Sequence, residues 1–280
     1  MKSRPDLKLD KRRRFFASLP GMATILALSM ALAWTDSISS SQPEQRGLAI
    51  AIEADKHDAG WMDWSANAQM ILKNKQGQTS SRRMQMKALE QNTDGDKRII
   101  FFDQPRDVKG TAFLVFTKKQ GNDDQWLFLP ALKRVKRISS KNQSGPFVGS
   151  EFAYEDLSSQ EVEKYTYKYL RDEAVDGMRC YVLERTPVNP KSGYTRQVVW
   201  IDQDEYRTLK IDYFDRKQSL LKTLTATGFQ SYGKDYWRAD HFLMVNHQTG
   251  KSTELLWTDY QFTRGLKERE FTQTGLRNAR

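Results

Sequence analysis

The sequence has 280 residues and a mass of 32.6 kDa, with 45 Lys and Arg against 35 Asp and Glu. Seven of those basic residues and two of the acidic ones fall within residues 1–16, so the remainder is only weakly basic. It lacks the compositional case for nucleic-acid binding, which needs a concentrated cationic face. One cysteine, Cys180, excludes an intrachain disulfide and a cysteine-cluster metal or iron–sulfur site, and three histidines leave little for a histidine metal centre.

Residues 11–16 read Lys-Arg-Arg-Arg-Phe-Phe, followed by an uncharged run from Ala17 to Trp34 that contains Ala31-Leu32-Ala33. A basic region, a short apolar region and a small-x-small site in that order predict a secretory signal peptide over residues 1–33. The apolar run is broken by Pro20-Gly21 and falls short of the ~20 residues of a membrane span, so cleavage is favoured over a retained anchor. Lys11 leads the arginine run where a twin-arginine signal has Ser or Thr, which favours Sec export. In a diderm bacterium the mature chain would be periplasmic.

Residues 34–45, rich in Ser, Asp and Pro, read as a flexible leader. Arg46–Asp58 has helical spacing, with Leu48, Ala51 and Ile52 on one face. After Gly60 period-2 alternation takes over. Trp64, Ala66, Ala68, Met70 and Leu72 define one strand, and Met84, Met86 and Ala88 the next. Further strands are predicted at Arg98–Phe102, Thr111–Thr117, Gln125–Leu129, Glu163–Arg171, Arg179–Arg185 and Thr195–Asp202. The last four are Thr208–Phe214, Ser219–Gln230, Tyr236–Asn246 and Ser252–Phe262. Turn residues such as Asp176-Gly177 and Thr249-Gly250 separate them. The expected fold class is mainly β: residues 46–280 form one antiparallel barrel or strongly curved sheet with one or two packed helices.

No catalytic residue or metal ligand is assigned, and no cofactor is expected. Gly145–Glu151 lacks the G-x-S-x-G elbow of a serine hydrolase. His241 and His247 are six apart on a predicted strand and read as a hydrogen-bonded pair rather than as ligands. Glu151, Glu155, Asp156, Glu161 and Glu163 offer carboxylates for acid–base work, but a surface helix start accounts for them equally. Cys180 reads as a buried small residue.

Two features are positive. Aromatic and Met side chains recur at alternating positions, among them Trp64, Met84, Met86, Phe113, Phe128 and Trp200. An incompletely filled sheet interior would present such residues to an apolar ligand. Lys133, Arg134, Lys136, Arg137 and Lys141 follow Trp126–Pro130. That cluster is either a solvated strand edge or a rim for anionic headgroups or an acidic partner.

The segment Leu129-Pro130 through Arg134 and Arg137-Ile138 fits L-P-x-x-x-R-x-x-R-I. Phe147-Val148-Gly149-Ser150-Glu151-Phe152-Ala153-Tyr154-Glu155-Asp156-Leu157 fits F-x-G-S-[DE]-F-x-Y-E-D-L, and Pro105–Leu114 fits P-x-D-x-x-G-T-x-x-L. Together these motifs resemble the outer-membrane lipoprotein-sorting protein family, a branch of the LolA-like superfamily, over roughly Arg46–Phe262. Lys217-Gln218 departs from that family's pattern, where a turn glycine is usual. The resemblance implies a half-open antiparallel β-barrel (LolA-like) wrapped round one or two helices, with no enzymatic role. It also implies partners: lipid or lipoprotein acyl chains, a resistance-nodulation-division-type inner-membrane exporter, and contact with a membrane surface.

On that basis the expected ligand-binding residues are Trp64, Met84, Met86, Phe113, Phe128 and Trp200 as lining, with Arg134 and Arg137 as a polar rim. The competing expectation is an exporter-docking or envelope-structural module whose barrel is filled by its own side chains. An enzyme using Glu155 or Asp156 on envelope lipid stands third.

Overall fold

The computed structural model describes residues 42–233 and 236–278. The expected signal peptide and residues 34–41 of the expected leader lie outside them. Helix α1 spans Gln42–Asp58, four residues earlier than predicted. Pro43 sits in its first turn, where a missing N–H costs nothing, and Glu44 complements the dipole there.

The buried face of α1 is also displaced from the expected one. Gly47, Ile50 and Ala51 are buried, while Leu48 and Ile52 are exposed. Gly47 explains the rotation. A Cβ there would lie 2.7 Å from the backbone N of Tyr169, so only glycine lets the helix approach the strand below so closely. Arg46 completes the contact, its guanidinium carbon 3.7 Å from the centroid of the Tyr169 ring.

Thirteen strands follow: β1 Asp63–Lys73, β2 Thr79–Leu89, β3 Lys97–Gln104, β4 Ala112–Phe116, β5 Asp124–Leu129, β6 Arg134–Ile138 and β7 Tyr165–Val175. The series continues with β8 Met178–Pro187, β9 Arg196–Asp202, β10 Thr208–Phe214, β11 Leu220–Tyr232, β12 Tyr236–Asn246 and β13 Ser252–Phe262. A short helix α2, Gln273–Asn278, closes the described chain. No helix among the described residues is long and apolar enough to cross a membrane.

All thirteen strands form one antiparallel sheet in the order β6-β5-β4-β3-β2-β1-β13-β12-β11-β10-β9-β8-β7. β6 and β7 are its two edges and do not pair, so the barrel stays open between them. Strand β6 was not expected. Five residues reading Arg-Val-Lys-Arg-Ile look like a polar loop, but charge on an edge strand is how sheets avoid mispairing.

The alternation predicted for β1 and β2 holds. Trp64, Ala66, Ala68, Met70, Met84, Met86 and Ala88 are all buried in one cluster with Ile100, Phe102 and Phe113. That cluster lies on the concave face. On the other face, Phe271 and Leu276 of the C-terminal segment cover Ile99, Ala112 and Leu114. A third cluster gathers Cys180, Val182, Val198, Trp200 and Leu209.

Candidate functional site

The link from β6 to β7, residues 139–164, crosses the concave face as a chain of short 3₁₀ turns. It carries the F-x-G-S-E-F-x-Y-E-D-L segment, and nearly every residue of that segment is tied down. The Phe147 ring lies 5.2 Å from Phe113, 5.7 Å from Phe102 and 5.5 Å from Tyr154 between centroids. The Ser150 hydroxyl donates to Phe147 O at 2.8 Å. Glu151 accepts from Asn246 Nδ2 at 2.7 Å, and its N–H donates to Thr253 Oγ1 at 3.0 Å. Arg82 donates to Val148 O.

Glu155 and Asp156, the sequence's acid–base candidates, serve this plug. Glu155 accepts from the Ser192 hydroxyl at 2.7 Å and from Gly193 N–H at 2.9 Å, and burial beside Asp156 raises its pKa. Asp156 accepts from Lys222 Nζ at 2.7 Å, Tyr194 hydroxyl at 2.8 Å and Ala153 N–H at 2.7 Å. Their hydrogen-bonding capacity is spent on holding the segment down. His241 and His247 likewise bond separate neighbours: His241 faces Glu254 at 3.5 Å, and His247 Nε2 meets Thr223 Oγ1 at 2.8 Å. Cys180 is fully buried and its thiol is pushed up to about 11 by burial and by Asp202.

With one half of the concave face plugged, the space lies in the other half. An inner cavity of about 510 Å³ opens between α1, β8, β9 and β12. Its apolar wall includes Ala51 and Ala54 of α1, Leu183, Val199, Ile201 and Phe242. An outer cavity of about 650 Å³ lies between the β4–β5 turn, residues 155–165 and the β8–β9 loop. Lys119, Ser159 and Gln160 border both. Both volumes suit small ligands.

Acidic groups enter the inner cavity from four segments: Asp55 and Asp58 on α1, Glu90, Asp94 and Asp96 between β2 and β3, Glu161 before β7, and Glu205 between β9 and β10. Glu161 is buried, and desolvation reinforced by Asp96 and then Asp55 pushes its pKa up to about 7. Asp96 and Asp55 are raised as well, in each case chiefly by burial. Arg98 and Arg185 supply positive charge from β3 and β8.

The structure redistributes the residues expected to bind ligand. Trp64, Met84, Met86 and Phe113 do share the concave-face cluster, but they pack inside it and border neither cavity. Phe128 and Trp200 are corrected to the other face. Phe128 packs with the Phe271–Leu276 cluster, and Trp200 with Cys180 and Val182. Alternation explains this, since their neighbours Leu127, Val199 and Ile201 take the concave positions.

Arg134 and Arg137 are both exposed and border neither cavity. Three residues apart on a strand, they face opposite ways. Arg137 pairs with Asp124 and stands opposite Trp126, so the two do not form one rim. Reasoning from sequence names Glu161 only within a group of carboxylates and misses Arg185. The only signal was a charged residue in phase with Tyr181 and Leu183 on the core-facing side of β8.

The open sheet, the α1 contact and the plug define a LolA-like barrel. A solved domain from Vibrio parahaemolyticus, named for outer membrane lipoprotein sorting, is 55% identical with a TM-score of 0.82, over 84% of this chain and 99% of that one. The chain belongs to the outer-membrane lipoprotein-sorting protein family. A DUF1329 family protein from Desulfovibrio piger is 29% identical, TM-score 0.80, covering 84% of this chain and all of that one. A LolA superfamily protein from Nitrosomonas europaea shares the fold at 22% identity and a TM-score of 0.65, with the same coverage. A family model described as "-like: Uncharacterized protein" matches residues 94–278. No curated protein matches the chain at a significant level.

Proposed function

We propose that the protein is a periplasmic carrier that shelters an acyl chain of a lipid or lipoprotein in the inner cavity, between α1 and the concave positions of β8, β9 and β12. The observation that carries this reading is the cavity's apolar wall of Leu183, Val199, Ile201 and Phe242 in the unplugged half of an open barrel. An acyl chain exposed to water costs ~0.8 kcal/mol per CH₂, so crossing an aqueous compartment needs an apolar wall to lie against. Carriage of this kind forms and breaks no covalent bond. Export by a cleaved segment 1–33 and collaboration with a resistance-nodulation-division-type exporter complete the reading.

The filled half favours a second reading. Phe147, Phe102 and Phe113 occupy the space a larger cargo would need, as in a docking module with no cargo. Val199→Trp separates the two, because the indole would occupy the cavity. The carrier reading requires loss of uptake of a fluorescent acyl probe with the fold intact by circular dichroism. Unchanged uptake would exclude the cavity as the binding place.

A further inference from the structure

Arg185 lines the inner cavity from β8 and is 8% exposed. Its Nε donates to Gln197 Oε1 at 2.6 Å, and its guanidinium carbon lies 4.6 Å from the centroid of the Tyr165 ring. Neither neighbour is charged. Among the described residues Arg185 forms no ion pair, and its Nη2 is buried with no hydrogen-bond partner. Two other arginines of the cavity are paired, Arg207 with Asp202 at 2.7 Å and Arg238 with Asp58 at 2.6 Å; Arg98 Nε is also buried without a hydrogen-bond partner, but Asp96 is near enough to act on it electrostatically.

A buried guanidinium without a counter-anion is strongly disfavoured, and a ligand anion reaching the cavity-lining side chain would supply both the missing charge and an acceptor for its unfilled N–H. Gln197 anchors the guanidinium from behind: it borders the outer cavity, whereas Arg185 borders the inner one. We propose that Arg185 binds the anionic head, carboxylate or phosphate, of an acyl lipid whose chain lies along Leu183, Val199 and Ile201.

The inference rests on the carrier reading and narrows its cargo to anionic amphiphiles. Chains attached through ester or amide links alone bring no such charge. The acidic residues of the same cavity, among them Asp55, Glu90, Asp96, Glu161 and Glu205, come from α1 and the loops rather than from β8 or β9. They repel an anion displaced from Arg185 and so confine the head to it.

The test is equilibrium fluorescence on the delipidated chain with dansyl-undecanoic acid and its methyl ester. The acid should bind about tenfold or more tightly than the ester. Arg185→Met should lower the acid to the affinity of the ester and leave the ester unchanged, and Arg185→Lys should keep a preference for the acid. Equal binding of both probes by the unaltered chain overturns this inference, needs no variant, and leaves the carrier reading standing. Binding of neither overturns both. Displacement of the acid by millimolar inorganic phosphate would assign the site to free small anions and overturn the lipid head.

Discussion

Lys222 Nζ lies 2.7 Å from Asp156 Oδ2, and their side chains are only 4% and 5% exposed. The pair joins β11 to the segment between β6 and β7, two parts of the chain far apart in sequence. Lys222 also donates to Glu151 O at 2.9 Å and lies 5.1 Å from the centroid of the Tyr194 ring and 5.2 Å from that of Tyr213. A carboxylate that the sequence leaves open between acid–base work and a surface role is thus the latch of a plug.

Breaking the latch leaves a buried carboxylate with hydroxyl and amide donors but no cation. Lys222→Met should cost about 3–5 kcal/mol in urea unfolding, the range for one partner removed from a buried pair. Lys222→Met with Asp156→Asn should recover part of that loss. An additive double variant would mean that the pair is not coupled.

Glu161 makes stability depend on pH. Its pKa is raised from 4.5 to about 7 on folding, so the folded chain holds a proton that the unfolded chain loses between those values. Its favourable contribution is full below pH 4.5 and is lost as pH rises through 7. Glu161→Gln should match the unaltered chain at pH 5 and exceed it by about 1–3 kcal/mol at pH 8. The check is urea unfolding at both values. An equal effect at both would show that Glu161 does not titrate on folding.

At the β10–β11 turn, Gln218 adopts φ 60°, a left-handed conformation that costs a residue with a Cβ about 1–2 kcal/mol. Asp215 holds the turn, accepting from Lys217 N–H at 2.8 Å and Ser219 N–H at 3.0 Å. Gln218→Gly should therefore raise stability by about 0.5–1 kcal/mol despite the greater freedom of glycine in the unfolded chain. A lower thermal midpoint for the variant would contradict this.

Arg134 and Arg137 lie outside both cavities. Arg134→Glu and Arg137→Glu should each leave acyl-probe affinity within about twofold. Arg137→Glu should cost under ~1 kcal/mol of stability through loss of its exposed pair with Asp124. Titration of the probe and urea unfolding check the two statements. A tenfold loss of affinity would place one of these residues at the binding site after all.

The fold was legible in the sequence to the extent that alternation was. Strands β1 and β2 announce themselves because one face is apolar and the other polar, while β6 hides behind Arg134, Lys136 and Arg137. The face of α1 was misread because Gly47 carries no hydrophobic signal, yet it sets the rotation through its contact with Tyr169. The site was less legible for a physical reason. Periodicity says that Trp64, Met84, Met86 and Phe113 point inward, but it cannot say where the interior is full. That depends on Phe147 arriving from the distant plug. Phe128 and Trp200 were placed one register position off the concave side, the error to which a period of two is most exposed.

Carriage of an acyl lipid is tested most directly by native mass spectrometry of the protein purified from its native cells, followed by lipid extraction. One bound lipid or acylated peptide per chain, lost on Val199→Trp, is the expected result. Protein that is empty in repeated preparations and takes up no fluorescent lipid would contradict the account and leave a docking module.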